Sequence, residues 1–186
     1  RSVDLYLKGK IDDMEFIRRD VSLWKENDKP VKISKIQDIL SKISFMDGVR
    51  DCISFLKDNG VKTAIVSAGL EILAKRVADD LGIDFVYANG LKTDDAGFVT
   101  GEGILNVKLM YKDDVIRKLS KNSGIPLGSM LAVGNSCFDI PMFELCGYSV
   151  AFNPEDDCVR KKADFIVEGK DLSKIIHVLN CYIGVN

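Results

Sequence analysis

No apolar run in these 186 residues reaches the roughly 18 needed to cross a bilayer, and the first residues carry no short apolar core of the signal-peptide kind. A soluble, cytoplasmic protein with no membrane partner is the expectation. Charge of one sign is also missing. The 26 basic and 28 acidic residues are interspersed and leave a net charge of −2, with no basic stripe to meet nucleic acid and no acidic tail. Small charged solutes are the better match. A single histidine, His177, lies near the end of the last helical pattern, so a Cys-His nucleophile lacks a base. The five cysteines, Cys52, Cys137, Cys146, Cys158 and Cys181, are odd in number and contain no CxxC pair. That spacing speaks against a disulfide framework and a zinc site, and predicts reduced thiols. No GxGxxG follows a strand-like run and no Walker-type Gly-Lys-Ser/Thr occurs, which leaves a nucleotide-binding module without support.

What is present fits one domain, or a core with a small insertion, long enough to bury a sizeable interior. Residues 12 to 26 read as a helix, with Met14, Phe16, Ile17, Val21 and Trp24 near helical spacing and Asp12 and Asp13 at its positive end. The polar joint Asn27-Asp28-Lys29-Pro30 leads to a second amphipathic helix over 31 to 43, with Ile33, Ile36, Leu40 and Ile43 on one stripe. From Asp47-Gly48 the pattern alternates: helix 48 to 59, strand 62 to 67, helix 70 to 81, strand 84 to 88. A hairpin-like stretch, Lys92 to Gly103, follows. Then come helix 112 to 122, strand 130 to 134, helix 139 to 146, strand 148 to 152, strand 164 to 167 and helix 171 to 180. Alternation of this kind predicts a parallel sheet flanked by helices.

Three places carry chemistry. The run Met130-Leu-Ala-Val-Gly134 ends in a loop holding Asn135 and Asp139 before the chain enters a helix. Ligands of open parallel sheets bind outside the carboxyl ends of the strands, where oxygen side chains can meet a hard cation and a phosphate together. Asp139 also suits a helix cap, with Pro141 in the first turn, and the two roles weigh equally. Ser67 ends the run Thr63-Ala-Ile-Val and reads as a cap or, with Ala68 and Gly69, as a phosphate-binding turn. Lys112 opens a helical pattern; taken alone it is a solvated lysine, and Lys108 is the fallback if the register slips. Asp156 and Asp157 read as a solvated turn.

Together, Val66-Ser-Ala-Gly69, Lys112 and Gly134-Asn-Ser-Cys-Phe-Asp139 resemble the haloacid dehalogenase superfamily, in its phosphoserine-phosphatase-like branch. The resemblance runs along nearly the whole chain. It implies an α/β, Rossmannoid core with a small helical cap, here residues 1–44 as a partial cap and 45–186 as the core lacking its first strand. It implies phosphomonoester hydrolysis on a small phosphorylated metabolite through an aspartyl-phosphate, with Mg²⁺ as cofactor, by a monomer or homodimer. Catalytic and phosphate roles fall to Ser67, Ala68, Gly69 and Lys112, metal roles to Asn135 and Asp139, and a substrate contact in the cap to Arg18. Asp20 stands where phosphoserine-specific relatives are expected to carry an arginine, which points away from phosphoserine.

Two departures stand out. The family's nucleophile motif, Asp-x-Asp after an apolar first strand, occurs nowhere in the sequence, and Asn135 replaces a metal-binding aspartate. That first strand is expected between the strand ending at Ser67 and the strand ending at Gly134, where its absence would leave two rows of backbone groups unpaired. A longer native polypeptide supplying the nucleophile is the expectation, and a pseudo-phosphatase that binds a phosphorylated ligand without turnover is the alternative.

Overall fold

The computed structural model describes residues 2–184. Packing divides them into two compact units, one of residues 1–43 with 64–109 and one of residues 44–63 with 110–186. Of the residues read as a partial cap, 2–43 share a unit with 64–109, whereas Ser44 and the helix that opens the α/β alternation belong to the other unit.

In the first unit, α1 (Ser2–Leu7) precedes α2 (Asp13–Ser22). The side chain of Asp12 accepts the N–H of Glu15 at 2.8 Å and caps α2. The helix ends at Ser22 rather than continuing to residue 26. A short antiparallel hairpin follows, β1 (Lys25–Glu26) and β2 (Lys29–Pro30), turning on Asn27 and Asp28, whose φ values are +50° and +61°. Asn and Asp tolerate this left-handed pair better than other side-chain-bearing residues, so the polar joint is a turn. Next comes α3 (Ile33–Ser41), then β3 (Ala64–Leu70), α5 (Glu71–Leu81), β4 (Phe85–Thr93) and β5 (Val99–Ile104). β3 and β4 are parallel, whereas β4 and β5 form the antiparallel hairpin expected from the Lys92 to Gly103 stretch. Val21, Ile36 and Val99 are the buried centre, packed by Ile17, Trp24, Ile33, Leu40, Leu70 and Leu91. Ile33, Ile36 and Leu40 of the stripe read from the sequence thus pack with Leu91 of β4 and Val99 of β5, whereas Ile43 is exposed.

The second unit contains α4 (Val49–Asp58), α6 (Lys112–Ser123), β6 (Leu131–Gly134), α7 (Ile140–Phe143), β7 (Tyr148–Phe152), α8 (Asp157–Lys162), β8 (Phe165–Val167) and α9 (Ile176–Ile183). β6, β7 and β8 form a parallel sheet in that order, with Val133 opposite Val150 and Ala151 opposite Ile166. Its core is Cys52, Val150, Phe152, Ile175, Val178 and Leu179. Both sheets have three strands, with β3 at the outside of the first and β6 at the outside of the second. On these edge strands Ala64 and Val133 are exposed.

Gly48 starts α4 at a φ of +70°, and a methyl there would overlap Asp171 Oδ1 and Ser173 N. Only glycine meets both conditions. Asp171 accepts from the Ser173 hydroxyl at 2.6 Å and from the Ser173 N–H at 2.9 Å. Those bonds, with Lys174 nearby, hold its carboxyl below the usual range. A lowered folded value means that this contribution is present above about pH 4 and is lost as the pH falls through the folded pKa. Asp171→Asn is therefore expected to be less stable than wild type at neutral pH, with the gap closing below about pH 4 in urea titrations across pH.

Candidate active site

Each unit places candidate residues on or just after an edge strand. In the first unit the β3–β4 register jumps. Ala64, Ile65 and Val66 pair with Phe85, Val86 and Tyr87, and then Leu70 pairs with Asn89. Four steps on β3 match two on β4, so residues Ser67, Ala68 and Gly69 bulge out of the ladder. Bulges re-aim backbone and side chains next to functional sites. Ser67 Oγ accepts the N–H of Gly69 at 3.0 Å inside this turn. The capping role read for Ser67 is not observed. Helix α5 begins at Glu71 with Leu70 as its cap residue and no side-chain cap bond.

The bulge is held from behind by Asn89, which the sequence did not mark. Asn89 is 5% exposed. Its amide nitrogen donates to Ala68 O and to Val107 O, both at 2.9 Å, and its oxygen accepts the N–H groups of Asn106 and Val107, both at 2.8 Å. All four hydrogen-bonding positions of one amide are used. Asn89→Leu is expected to strand several buried backbone groups and to cost at least about 2 kcal/mol, read as a lower urea midpoint at unchanged slope.

In the second unit Lys112 is the first residue of α6 and is nearly buried, so it is not the solvated lysine that its type alone suggests. A cation at the positive end of a helix, out of water, needs a close counter-charge. Asp139 provides it, with Lys112 Nζ 2.6 Å from Asp139 Oδ1. The other oxygen, Oδ2, accepts the N–H of Asn135 at 2.9 Å, the N–H of Ser136 at 3.1 Å and the Ser136 hydroxyl at 3.4 Å. Asp139 makes no side-chain cap bond to α7, so the helix-cap role is not observed; its carboxylate instead closes the turn after β6 and fixes Lys112. Gly134 makes the wrap possible, because a Cβ there would lie 2.5 Å from Asp139 Cγ and 2.6 Å from Oδ2.

Asn135 donates its side-chain N–H to Glu155 Oε1 at 3.1 Å, and its carbonyl accepts the Glu155 N–H at 2.8 Å. A carboxylate facing the amide nitrogen turns Asn135 Oδ1 the other way. Glu155 is the second residue that sequence reading missed; it lies beyond β7, twenty positions from its partner, and only the parallel β6–β7 pairing brings them together.

Arg18 is placed differently from a free anion receptor. It donates to Glu102 Oε1 at 2.8 Å and to Glu15 Oε2 at 2.9 Å; it holds the Glu102 carboxyl below its usual range, and Arg19 together with Arg18 does the same for Glu15.

The cysteines correct the expectation of five reduced thiols, since Cys137 and Cys158 form a disulfide with Cα atoms 5.7 Å apart. Parallel strands β6 and β7 bring the loops after them side by side, which no spacing rule in the sequence reports. Burial pushes the Cys52 and Cys146 thiols up to about 11, which makes them poor nucleophiles. Asp156 is likewise no solvated turn; its Oδ2 accepts the Cys137 N–H at 3.1 Å.

Ser67 thus stands in the bulge of β3, and in the other unit Asp139, after β6, holds Lys112 at the start of α6. The family profile of haloacid dehalogenase-like hydrolases matches residues 6–144, and the chain belongs to that family. Within it the chain falls in the phosphoserine-phosphatase-like branch. It is 32% identical over 173 residues to the phosphoserine phosphatase of Methanocaldococcus jannaschii, covering 91% of this chain and 78% of that protein. Two solved phosphoserine phosphatase structures, one a phospho-aspartyl intermediate analogue and one a substrate-bound complex, each match at a TM-score of 0.80 and 30% identity. Each match covers 95% of this chain and 82% of the other. The fold is thus the haloacid dehalogenase α/β fold anticipated from the motifs.

Proposed function

We propose that the protein hydrolyses a small phosphomonoester through an aspartyl-phosphate intermediate, with O-phosphoserine the first substrate to test. The buried Lys112–Asp139 pair carries this reading. A neutral or solvated lysine would have no use for a buried carboxylate. A fixed ammonium beside a strand-end loop suits the charge that spreads over phosphoryl oxygens during transfer. Ser67, with the backbone of Ala68 and Gly69, is assigned phosphate-oxygen contacts. The nucleophilic aspartate, and the one that protonates the leaving alcohol, are residues that these 186 do not supply. In the balanced step, the carboxylate forms a bond to phosphorus, the ester P–O bond breaks, and the alkoxide takes a proton; water then cleaves the acyl phosphate.

The oxygen donors fit Mg²⁺. Asn135 Oδ1, just after β6, and the Glu155 carboxylate, beyond β7, are hard donors that face different ways, and Mg²⁺ keeps several waters and needs few protein groups. Asp139, with Oδ1 on Lys112 and Oδ2 on the loop, is assigned an outer role that orients Asn135. The bound cation supplies neutralisation of phosphoryl charge. Glu155 gives back the charge that Asn135 lacks, so Glu155→Gln is expected to weaken Mg²⁺ binding by at least about tenfold, and Asn135→Asp to strengthen it, both read by calorimetric titration. Unchanged affinity in both variants would remove this loop from the cation site. Arg18 is kept as a weaker substrate contact, because an incoming anion must compete with Glu15 and Glu102.

The test is phosphate release from a panel of phosphomonoesters that includes O-phosphoserine, with and without Mg²⁺, and hydroxylamine trapping of the acyl phosphate. A polypeptide that carries the nucleophilic aspartate together with these residues is expected to give Mg²⁺-dependent release with a trapped intermediate. Binding without release would instead favour a pseudo-phosphatase, the role to which the missing Asp-x-Asp points.

A further inference from the structure

Cys137, Asp156 and Cys158 gather one ligand atom each within 4.8 Å of one another, on the segment that follows β6 and on the turn after β7 with the first turn of α8. None of the three is used by the phosphatase chemistry. We propose that in its dithiol state this cluster is a binding site for a thiophilic divalent cation of the Zn²⁺ or Cd²⁺ type, separate from the hard-cation donors Asn135 and Glu155.

The proposal depends on the thiols staying together once the disulfide opens. Three other bonds join the same two segments and do not involve sulfur. Glu155 N–H donates to Asn135 O at 2.8 Å, Asn135 donates to Glu155 Oε1 at 3.1 Å, and Cys137 N–H donates to Asp156 Oδ2 at 3.1 Å. Parallel pairing of β6 with β7 fixes the strands from which both loops spring. Reduction therefore removes one of several ties and leaves Cys137 and Cys158 facing each other.

The geometry then suits a tetrahedral ion. At Zn–S distances near 2.3 Å, two sulfurs on one zinc lie about 3.8 Å apart, a small side-chain rotation away from a bonded pair whose Cα atoms are 5.7 Å apart. The Asp156 carboxylate is already anchored through one oxygen by the Cys137 N–H, so its other oxygen is the third donor, and water completes the set. Ligand softness sorts the metals. Thiolates prefer Zn²⁺ and Cd²⁺, whereas amide and carboxylate oxygens at Asn135 and Glu155 prefer Mg²⁺.

The chemistry balances in two steps. A thiol reductant opens the disulfide by exchange, two reductant thiols becoming one disulfide as Cys137 and Cys158 become thiols. The dithiol then exchanges two protons for one divalent cation. Disulfide and metal thiolate are thus competing states of the same pair, and oxidation expels the ion.

The test is titration of the folded chain with Cd²⁺ after reduction and removal of the reductant, following the ultraviolet thiolate-to-cadmium absorption and the heat of binding. One equivalent is expected to bind with that absorption. Cys158→Ser is expected to abolish it, Asp156→Asn to weaken binding at least about tenfold, and Cys181→Ser to leave it intact. Wild type oxidised with a small disulfide is expected not to bind, and this comparison needs no substitution. Absence of the absorption in reduced wild type, its survival in Cys137→Ser/Cys158→Ser, or equal uptake by the oxidised protein would each overturn the proposal. None of these readouts depends on phosphatase turnover.

Discussion

Asp139→Ala is expected to destabilise the second unit by about 3–5 kcal/mol, the scale on which breaking one side of a buried ion pair acts. Lys112 is 9% exposed and opens a helix whose N-terminal end already carries partial positive charge. Without Asp139 its ammonium has lost the counter-charge 2.6 Å away. The three loop donors that now meet Oδ2 lose their acceptor in the same substitution. Asp139→Asn keeps the shape and one acceptor oxygen but not the charge, so its cost should fall between wild type and Asp139→Ala. Urea unfolding at fixed slope measures all three. A loss under about 1 kcal/mol for Asp139→Ala would mean that the pair is solvated in solution, since exposed pairs contribute no more than that.

Lys112→Met is expected to behave differently, costing less stability but more ligand affinity. Its removal leaves Asp139 with three donors on Oδ2, so the remaining carboxylate is buried yet not abandoned. In the proposed role of Lys112 the loss falls on the phosphorylated ligand, which would forfeit a charge-assisted contact of about 1.5–3 kcal/mol, or roughly 10- to 100-fold in affinity. Calorimetric titration with O-phosphoserine reads the affinity and urea unfolding reads the stability. The reverse pattern, a large stability loss with unchanged affinity, would make Lys112 a purely structural cation.

Much of the fold was legible because hydrophobic spacing and strand-end polarity are local. Apolar runs at 130 to 134 and 148 to 152 became β6 and β7 within a residue, and the alternation from Gly48 onward predicted parallel pairing. Lys112 and Asp139 were visible because each stands where a helix begins, and Ser67 because it ends an apolar run, although β3 continues past it to Leu70. What stayed hidden depends on partners distant in sequence. Asn89 looks like an ordinary polar residue in a strand until Ala68, Asn106 and Val107 are placed around it. Glu155 and the Cys137–Cys158 bond exist only once β6 and β7 lie side by side. The β1–β2 hairpin was missed for another reason. Trp24 continues the apolar stripe of α2, and helical spacing hid the Asn27-Asp28 turn that ends it. The β3 bulge was invisible because register belongs to the pair of strands and not to one of them.

The most direct test of the account is calorimetric titration of the protein with O-phosphoserine and, separately, with serine, each with and without Mg²⁺. The account expects saturable binding of O-phosphoserine, tighter with Mg²⁺, and no measurable binding of serine, because the phosphoryl group is what the proposed site recognises. Equal binding of both compounds, or no binding of O-phosphoserine together with no binding of any other phosphomonoester in the panel, would contradict it.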